Sequence, residues 1–419
     1  MTIIPRTTNA DASLQSAFAL PDYIHAILSR FDAAGYEVFC IGGCVRDALR
    51  GTAPHDWDLC TAALPAQTMA LFADKRCLDV GIKHGTVTVL WDDIPVEITT
   101  YRTEEAYIGH RAPSSVSFTP SLREDCLRRD FTINAMAYHP TAGLRDYFGG
   151  IDDLKSRILR CVGEPSERFD EDALRILRAL RFASVLDFEI EAETAEALHA
   201  CAPLLSAISG ERIFAEFRRM LTGVRAHRLL AEYADVIGVF YPPLAACKDH
   251  ARALSDAFAL CTTAETRLAA AFCLCGCTDE EDVRRTVSRL PTERIFVDRV
   301  TSLVTKAACP PPLTRPEMRR ALSSQSPDSI CSQLTLHAAL FPDHKDACQT
   351  ADALCREITA SGEATRIAHL AVNGRDLTAV GFQGRAIGDA LQTLLDAVID
   401  GQCENTREAL LFYAASLLP

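Results

Sequence analysis

The chain has no apolar run of the length a membrane span requires, about 20 residues. Its opening stretch, MTIIPRTTNADAS, lacks a basic segment followed by an apolar one and so does not read as a secretion signal. The expectation is therefore a soluble, cytoplasmic protein with no membrane partner. It also lacks a disulfide pattern, because its 17 cysteines are odd in number and scattered along the chain. Internal repeats and low-complexity tracts are missing too. Positive charge is in deficit: 43 Lys and Arg against 56 Asp and Glu give a formal net charge of −13. Taken alone, that balance speaks against nucleic acid as a partner. It is a weak exclusion, since one local surface is enough to grip a ligand.

What is present is 419 residues, 48% of them apolar, which is enough for two to four domains with real cores. Residues 20 to 150 alternate helical and strand patterns. An amphipathic helix precedes a strand at 37–41 and a glycine turn. "CVRDALRG" restarts as a helix, "DWDLC" reads as extended, and Pro65 opens another helix. "GTVTVLWDDIPVEITTYR" reads as a hairpin turning at WDDIP, and 136–139 pairs with 144–147. Beyond about 151 the strand signal stops. "SERFDEDALRILRALRFASVL" and "SGERIFAEFRRMLTG" are helical by period, the latter starting at Ser209–Gly210. "PPPLTRPEMRR" near 310 marks a linker. The predicted fold class is α+β, with an N-terminal mixed-sheet head followed by an all-helical neck, body and tail. The predicted boundaries are 20–155, 156–226, 227–305 and 306–419.

Within "IGGCVRDALRGTAPHDWDL", Asp56 and Asp58 flank Trp57. In an extended strand, residues two apart share a face, so both carboxylates can converge. Two such charges repel unless a cation lies between them. Hard oxygen ligands with few others suit Mg²⁺, which keeps waters and takes phosphate oxygens from its substrate. The competing reading is a turn. Gly42 and Gly43 let backbone approach a phosphate at a helix start, and Arg46 offers a guanidinium to the same anion. Gly-Gly, Arg and Asp-x-Asp together describe a triphosphate–Mg²⁺ site.

These residues, followed in order by "HGTVTVLWDDIPVEITTYRTE", "LRRDFTINAMAY", "ERFDEDALRILRALRFA", "GERIFAEF" and "NGRDLTAVGFQGRAIGDAL", resemble the poly(A) polymerase and class II CCA-adding tRNA nucleotidyltransferase family. The match is strong from about 36 to 220 and looser over the last fifty residues. The resemblance implies that Asp56 and Asp58 hold catalytic Mg²⁺, and that Gly43 and Arg46 hold the triphosphate. It implies that Arg129 contacts nucleotide, and that Asp130 and Asn134 help read the ribose. Glu97, in "VEITTYR", is a third acid on a nearby strand, with either a metal or proton-transfer role or a structural one. Arg128 has two readings, a surface ion pair or a functional contact.

Asp172, Arg175, Arg178 and Arg181 recur every third residue, and on one helix the first three lie within about a third of the circumference. Surface ion pairs are one reading of the cluster. The family resemblance implies a protein template instead. Asp172 accepts and Arg175 donates, which suits the amino group and ring nitrogen of C and A and rejects U and G. Arg178 and Arg181 then face phosphates or steady the template. Full CCA addition from CTP and ATP is expected. Poly(A) synthesis and partial CC- or A-addition are the alternatives. The segment 102–118 is full length, and in the family that loop is tied to the final A.

The metal-dependent HD phosphohydrolase site that many relatives carry is missing, because the lone "KDHAR" around His250 has no partner pair. Cys273, Cys275 and Cys277 alternate in "FCLCGC", a pattern open to metal or to buried thiols, with no second pair at zinc spacing nearby. Arg212, Arg218, Arg219, Arg225 and Arg228 face one acid, Glu216, a local +4 (five minus one). It reads either as a solvated helix face or as phosphate contacts for tRNA, with Arg218 and Arg219 the chosen candidates. The oligomeric state is not legible.

Overall fold

The computed structural model of the chain describes residues 18–108 and 112–418. It divides into two compact units, 1–229 with 235–242, and 230–234 with 243–419. The first holds a seven-stranded sheet. Its strands are β1 (Val38–Ile41), β2 (Leu59–Thr61), β3 (Arg76–Leu78), β4 (Thr86–Trp91), β5 (Ile94–Thr100), β8 (Met136–His139) and β9 (Gly143–Asp146). They lie in the order β3-β4-β5-β2-β1-β8-β9. All four residues of β1 are buried because both faces of the strand are covered. Val38 and Cys40 pack with Ile24, Ile27 and Phe31 of helix α1 (Asp22–Ala33). Phe39 and Ile41 pack on the other face with Tyr101, Leu122 and Cys126.

The hairpin expected at WDDIP is present. Asp92 and Asp93 both take left-handed backbone, with φ of 49° and 66°, which is what a two-residue turn between twisted strands demands. The sheet is mixed because β2 runs parallel to β5, with Leu59 opposite Ile98, while the other pairs are antiparallel. Three expectations change. "DWDLC" is not a strand throughout: β2 starts at Leu59, and Asp56 and Asp58 sit in the segment that enters it. The segment 102–118 forms a hairpin, β6 (Arg102–Ile108) paired with β7 (Ala112–Phe118). Its tip, 109–111, lies outside the described residues. The helix expected to run unbroken through 172 is two helices.

Four short helices punctuate the sheet: α2 (Gly43–Leu49), α3 (Pro65–Leu71), α4 (Leu122–Leu127) and α5 (Gly150–Ser156). The two helices that meet near 172 are α6 (Pro165–Glu171) and α7 (Leu174–Leu186). Asp172 ends α6 in extended backbone, φ −137° and ψ 100°. Its Oδ1 then accepts from the Leu174 N–H at 3.1 Å, restarting the chain as α7. Helix α8 (Ala192–Cys201) and helix α9 (Gly210–Thr222) follow in the same unit, and α9 packs along α7. Ser209 precedes α9, as expected, though its hydroxyl makes no capping bond.

The second unit is helical. After the "PPPLT" coil, a capping box of Thr314 and Glu317 opens the helix Arg315–Ser324. The helices Ala251–Leu260 and Ala264–Leu274 pack on Pro327–Leu340, so packing continues across the expected boundary at 305/306. Met318, Leu334 and Ala351 belong to one apolar cluster of this unit, Leu377, Leu394 and Leu410 to another.

Candidate active site

Gly42 has φ +83° and ends β1, while Gly43 opens α2. A Cβ on Gly42 would lie 3.2 Å from Arg129 Nη1, tighter than an ordinary contact, in a backbone conformation that side chains avoid. At Gly43 the nearest atom to such a Cβ is Arg46 Nη2 at 3.7 Å, so the protein's own atoms leave room there. Beside this turn the chain enters β2. Trp57 is buried in the core, and the Asp58 carbonyl accepts from the Ile41 N–H at 3.0 Å, which anchors the segment to β1. Asp56 and Asp58 on either side of Trp57 remain exposed. The parallel register sets Asp58 beside Glu97, each one residue before the Leu59–Ile98 pair.

The electrostatics agree with that placement. Asp58 has solvent-facing surface, yet desolvation raises its pKa, the charges of Asp56 and Glu97 add to the rise, and Arg129 pulls it back. The result is about 6 against the usual 3.8. Three carboxylates therefore gather where the chain enters β2 beside β5, with the Arg129 guanidinium near them. This is a hard-oxygen donor set short of positive charge, and it fits a divalent cation. Among the described residues no three His, Cys, Asp or Glu side chains gather closely enough to ligate an ion unaided. Water and substrate oxygens would have to complete the shell.

Next to these carboxylates runs a continuous polar chain. Arg46 is buried and donates through Nε and Nη2 to the two oxygens of Asp47, both at 2.9 Å, and through Nη1 to Asn134 Oδ1 at 2.7 Å. Asn134 Nδ2 donates to Asp130 Oδ1 at 3.1 Å. Asp130 Oδ2 accepts from Arg178 Nε at 2.9 Å and Nη2 at 2.5 Å. Burial pushes the Asp130 pKa up, but the Arg178 charge and the Asn134 and Arg178 bonds outweigh it and hold the group at about 2. Arg129 donates to Asp125, a fully buried carboxylate that also takes Arg128 and the Arg102 N–H. Arg128 is thus an ion-pair partner in the structure. Arg129 Nε is buried without a hydrogen-bond partner among the described residues.

The second wall is α7. Arg128, Arg129, Asp130, Asp172, Arg175, Arg178 and Arg212 line an open cavity of about 280 Å³. Asp172 reaches it from the break before α7, not from the helix face, so the one-helix geometry expected for Asp172 and Arg175 does not hold. Asp172 Oδ2 accepts from Arg212 at 3.2 Å. Arg175 is held by Glu171 at 2.5 Å and by the carbonyls of Arg168 and Arg128. Arg181 is tied to Glu216. Reading the sequence missed Phe182. Its ring lies under the guanidiniums of Arg46, Arg178 and Arg181, at 5.2, 5.4 and 3.9 Å from the centroid. An aromatic directly after an arginine in "ALRF" was the available signal. Reading the sequence also missed Asp125, whose partners are the adjacent Arg128 and Arg129 and, from a separate segment, the Arg102 N–H.

The local +4 at 212–228 is largely neutralised in place. Arg212 meets Asp172, Arg225 meets Asp187 and Glu189, and Arg228 meets Glu189. Arg219 is exposed and has no ion-pair partner among the described residues.

A mixed sheet with three carboxylates gathered at the start of β2, a Gly-Gly turn and an arginine-lined cavity describes a nucleotidyltransferase. Residues 38–160 match the Poly A polymerase head domain, 187–235 the RNA and SrmB-binding site of polymerase A, and 327–414 tRNA nucleotidyltransferase domain 2. The CCA-adding enzyme of Streptococcus gordonii is 38% identical over 394 residues, which cover 92% of this chain and 95% of that protein. That of Streptococcus suis is 53% identical over 195 residues, 46% of this chain and 48% of that one. The crystal structure of the Bacillus stearothermophilus CCA-adding enzyme in complex with CTP superposes with a TM-score of 0.80 at 32% identity, covering 95% of this chain and 98% of that one. The chain belongs to the CCA-adding enzyme family. The Thermotoga maritima CCA-adding enzyme complexed with tRNA shares the fold, with a TM-score of 0.67 at 20% identity, over 97% of this chain and 98% of that one.

Proposed function

We propose that Asp56 and Asp58 are the catalytic, metal-holding carboxylates of an enzyme that adds CCA to the 3′ end of tRNA from CTP and ATP, releasing pyrophosphate. The similarity over nearly the whole length of a CCA-adding enzyme carries the reaction. The grouping of Asp56, Asp58 and Glu97 at the start of β2 supports the assignment of its centre. The ion is proposed to be Mg²⁺; when bound, it polarises the α-phosphate and acidifies the attacking 3′-hydroxyl.

The other residues take the remaining work. Gly43 and Arg46 receive the triphosphate. Since Asp47 covers one edge of the Arg46 guanidinium, phosphate contact requires Asp47 to share or release it. Arg129 supplies positive charge between the carboxylates and the nucleotide, and Asp130 and Asn134 orient the ribose. Asp172 and Arg175 present an acceptor and a donor to the base edge, with Arg178 and Arg181 steadying them. A base that meets Arg175 competes with partners it already holds, among them the Glu171 carboxylate and the Arg168 and Arg128 carbonyls. Arg218 and Arg219 contact tRNA phosphate. In this reading 20–155 is the catalytic head, 156–226 the nucleotide-selecting neck, 227–305 the body and 306–419 the tRNA-binding tail.

The test is to incubate the protein with Mg²⁺, CTP and ATP on tRNA ending at the discriminator base, at C and at CC, and to sequence the products. Completion to CCA on all three is the expected result. Long A tails, or products that stop at CC, would assign poly(A) synthesis or partial addition instead.

A further inference from the structure

The helical unit carries a feature that nucleotide addition does not use. Cys247 lies in the 3-10 helical segment Pro242–His250, and its side chain is fully buried. Cys275 caps the C-terminus of the helix Ala264–Leu274. There the Cys275 N–H donates to the Ala271 carbonyl, the Cys277 N–H donates to the Phe272 carbonyl, and Gly276 takes left-handed backbone. This helix ending fixes Cys275 in place and turns it toward Cys247. The two sulfurs stand 3.4 Å apart, across 28 residues of chain. A disulfide requires about 2.05 Å, so closure asks for a movement of about 1.4 Å.

We propose that Cys247 and Cys275 form a peroxide-sensitive dithiol, a covalent modification site that closes to a reversible disulfide. The two cysteines are not equivalent. Cys275 is half-buried and accessible, whereas Cys247 is sealed. The hydrogen bond from Cys247 lowers the Cys275 pKa, and the same bond, with burial, raises that of Cys247. Cys275 therefore reacts first and Cys247 resolves. The Cys275 thiolate attacks hydrogen peroxide; an S–O bond forms, the O–O bond breaks, and a sulfenic acid and hydroxide result. Hydroxide takes up the proton the thiol gave away and becomes water. Cys247 sulfur then attacks the sulfenic sulfur; the S–S bond forms, the S–O bond breaks, and the departing hydroxide carries off the Cys247 proton as water. Two thiols and one peroxide become one disulfide and two waters. Cys273 and Cys277 are the nearby competitors, but burial raises the pKa of both, to about 12 at Cys273.

The site lies close to where the chain passes from the first compact unit to the second, at 242/243. A bond there staples this crossing segment to the helix Ala264–Leu274. The full-length protein, with exposed Cys309 replaced by Ser to suppress cross-linking between molecules, is treated with hydrogen peroxide, alkylated and digested with trypsin without reduction. The expected product links peptide 229–248, whose sole cysteine is Cys247, to peptide 268–284. The link is expected to vanish in Cys275→Ser, to persist in Cys273→Ser and in Cys277→Ser, and to open with dithiothreitol. The thermal midpoint should rise by about 5 °C on oxidation. Differential alkylation of the protein without these three substitutions gives a second readout, since Cys247 and Cys275 should lose reactivity together while Cys273 and Cys277 keep theirs. Absence of the linked peptide after peroxide, or its survival in Cys275→Ser, would overturn the proposal.

Discussion

At the scale of single residues, two aspartates in one site are tuned in opposite directions, and pH separates them. Asp58 is raised to about 6, so its charge works against the fold; that cost is absent below the unfolded value of 3.8 and complete above about 6. Because the carboxylate faces solvent, the effect is on the order of 1 kcal/mol, well below the full linkage value. Asp58→Asn should therefore be at least as stable as the parent at pH 7.5 without divalent ions, while nucleotide transfer falls by roughly 10³-fold or more, the scale of losing a charge centre at the reacting phosphate. Calorimetric titration of Mg²⁺ near pH 6 should show proton release that disappears in Asp58→Asn; equal release in both proteins would remove Asp58 from the metal site. Asp130 behaves the other way. Held at about 2, it stabilises the fold by about 2 kcal/mol above the unfolded value of 3.8, and that contribution is lost as pH falls toward 2. Asp130→Ala strands Arg178 and Asn134 and should cost roughly 3–5 kcal/mol in urea unfolding at pH 7. A loss under 1 kcal/mol would mean that water replaces the pair.

At the scale of elements, the break at Asp172 and the hairpin at 102–118 carry the selectivity argument. Asp172 is free of the helix, capped onto Leu174 and paired with Arg212, so it presents its acceptor from a bend that α7 holds rigid. If Asp172 and Arg175 read the base, Arg175→Ala should lower kcat/KM for CTP and ATP and relax rejection of UTP and GTP by about ten- to a hundredfold. An unchanged ratio of UTP to CTP incorporation into tRNA-C, with all rates slowed, would leave Arg175 as a brace for the Arg128 and Arg168 carbonyls. Shortening the β6–β7 hairpin should spare CC addition and abolish the terminal A; equal loss of both would give it a folding role. The strands and the WDDIP turn were legible because alternation and Asp-Asp left-handed backbone are local properties. The break was not, because "FDEDALRILRALRF" keeps an apolar period through it and only the side-chain bond to Leu174 shows where the helix stops. The same limit hid the Arg46–Asp47 clasp, since neighbouring residues do not face each other on an ideal helix.

At the scale of the whole molecule, a protein of net charge −13 must hold a polyanion. The Gly-Gly turn, Asp-x-Asp and the arginine repeat were legible as a site because they lie within short stretches. Charge over 212–228 was misleading, because the acids that neutralise it, Asp172, Asp187 and Glu189, come from earlier in the chain. Of the five arginines, Arg212, Arg225 and Arg228 are occupied in ion pairs, so a phosphate would have to displace a carboxylate to reach them. Arg219 has no such competitor, and counterion release depends on charges that phosphate newly meets. The double variant Arg218→Ala, Arg219→Ala should therefore raise the KM for tRNA several-fold and leave the KM for CTP unchanged. It should also flatten the slope of log KM against log salt by about one for each phosphate that the variant no longer neutralises. Arg225→Ala, which takes one partner from each of Asp187 and Glu189 and leaves them to Arg157 and Arg228, should instead lower thermal stability with little change in that slope. If the salt slope of the double variant equals that of the parent, Arg218 and Arg219 belong to the architecture of α9, and the tRNA is held elsewhere.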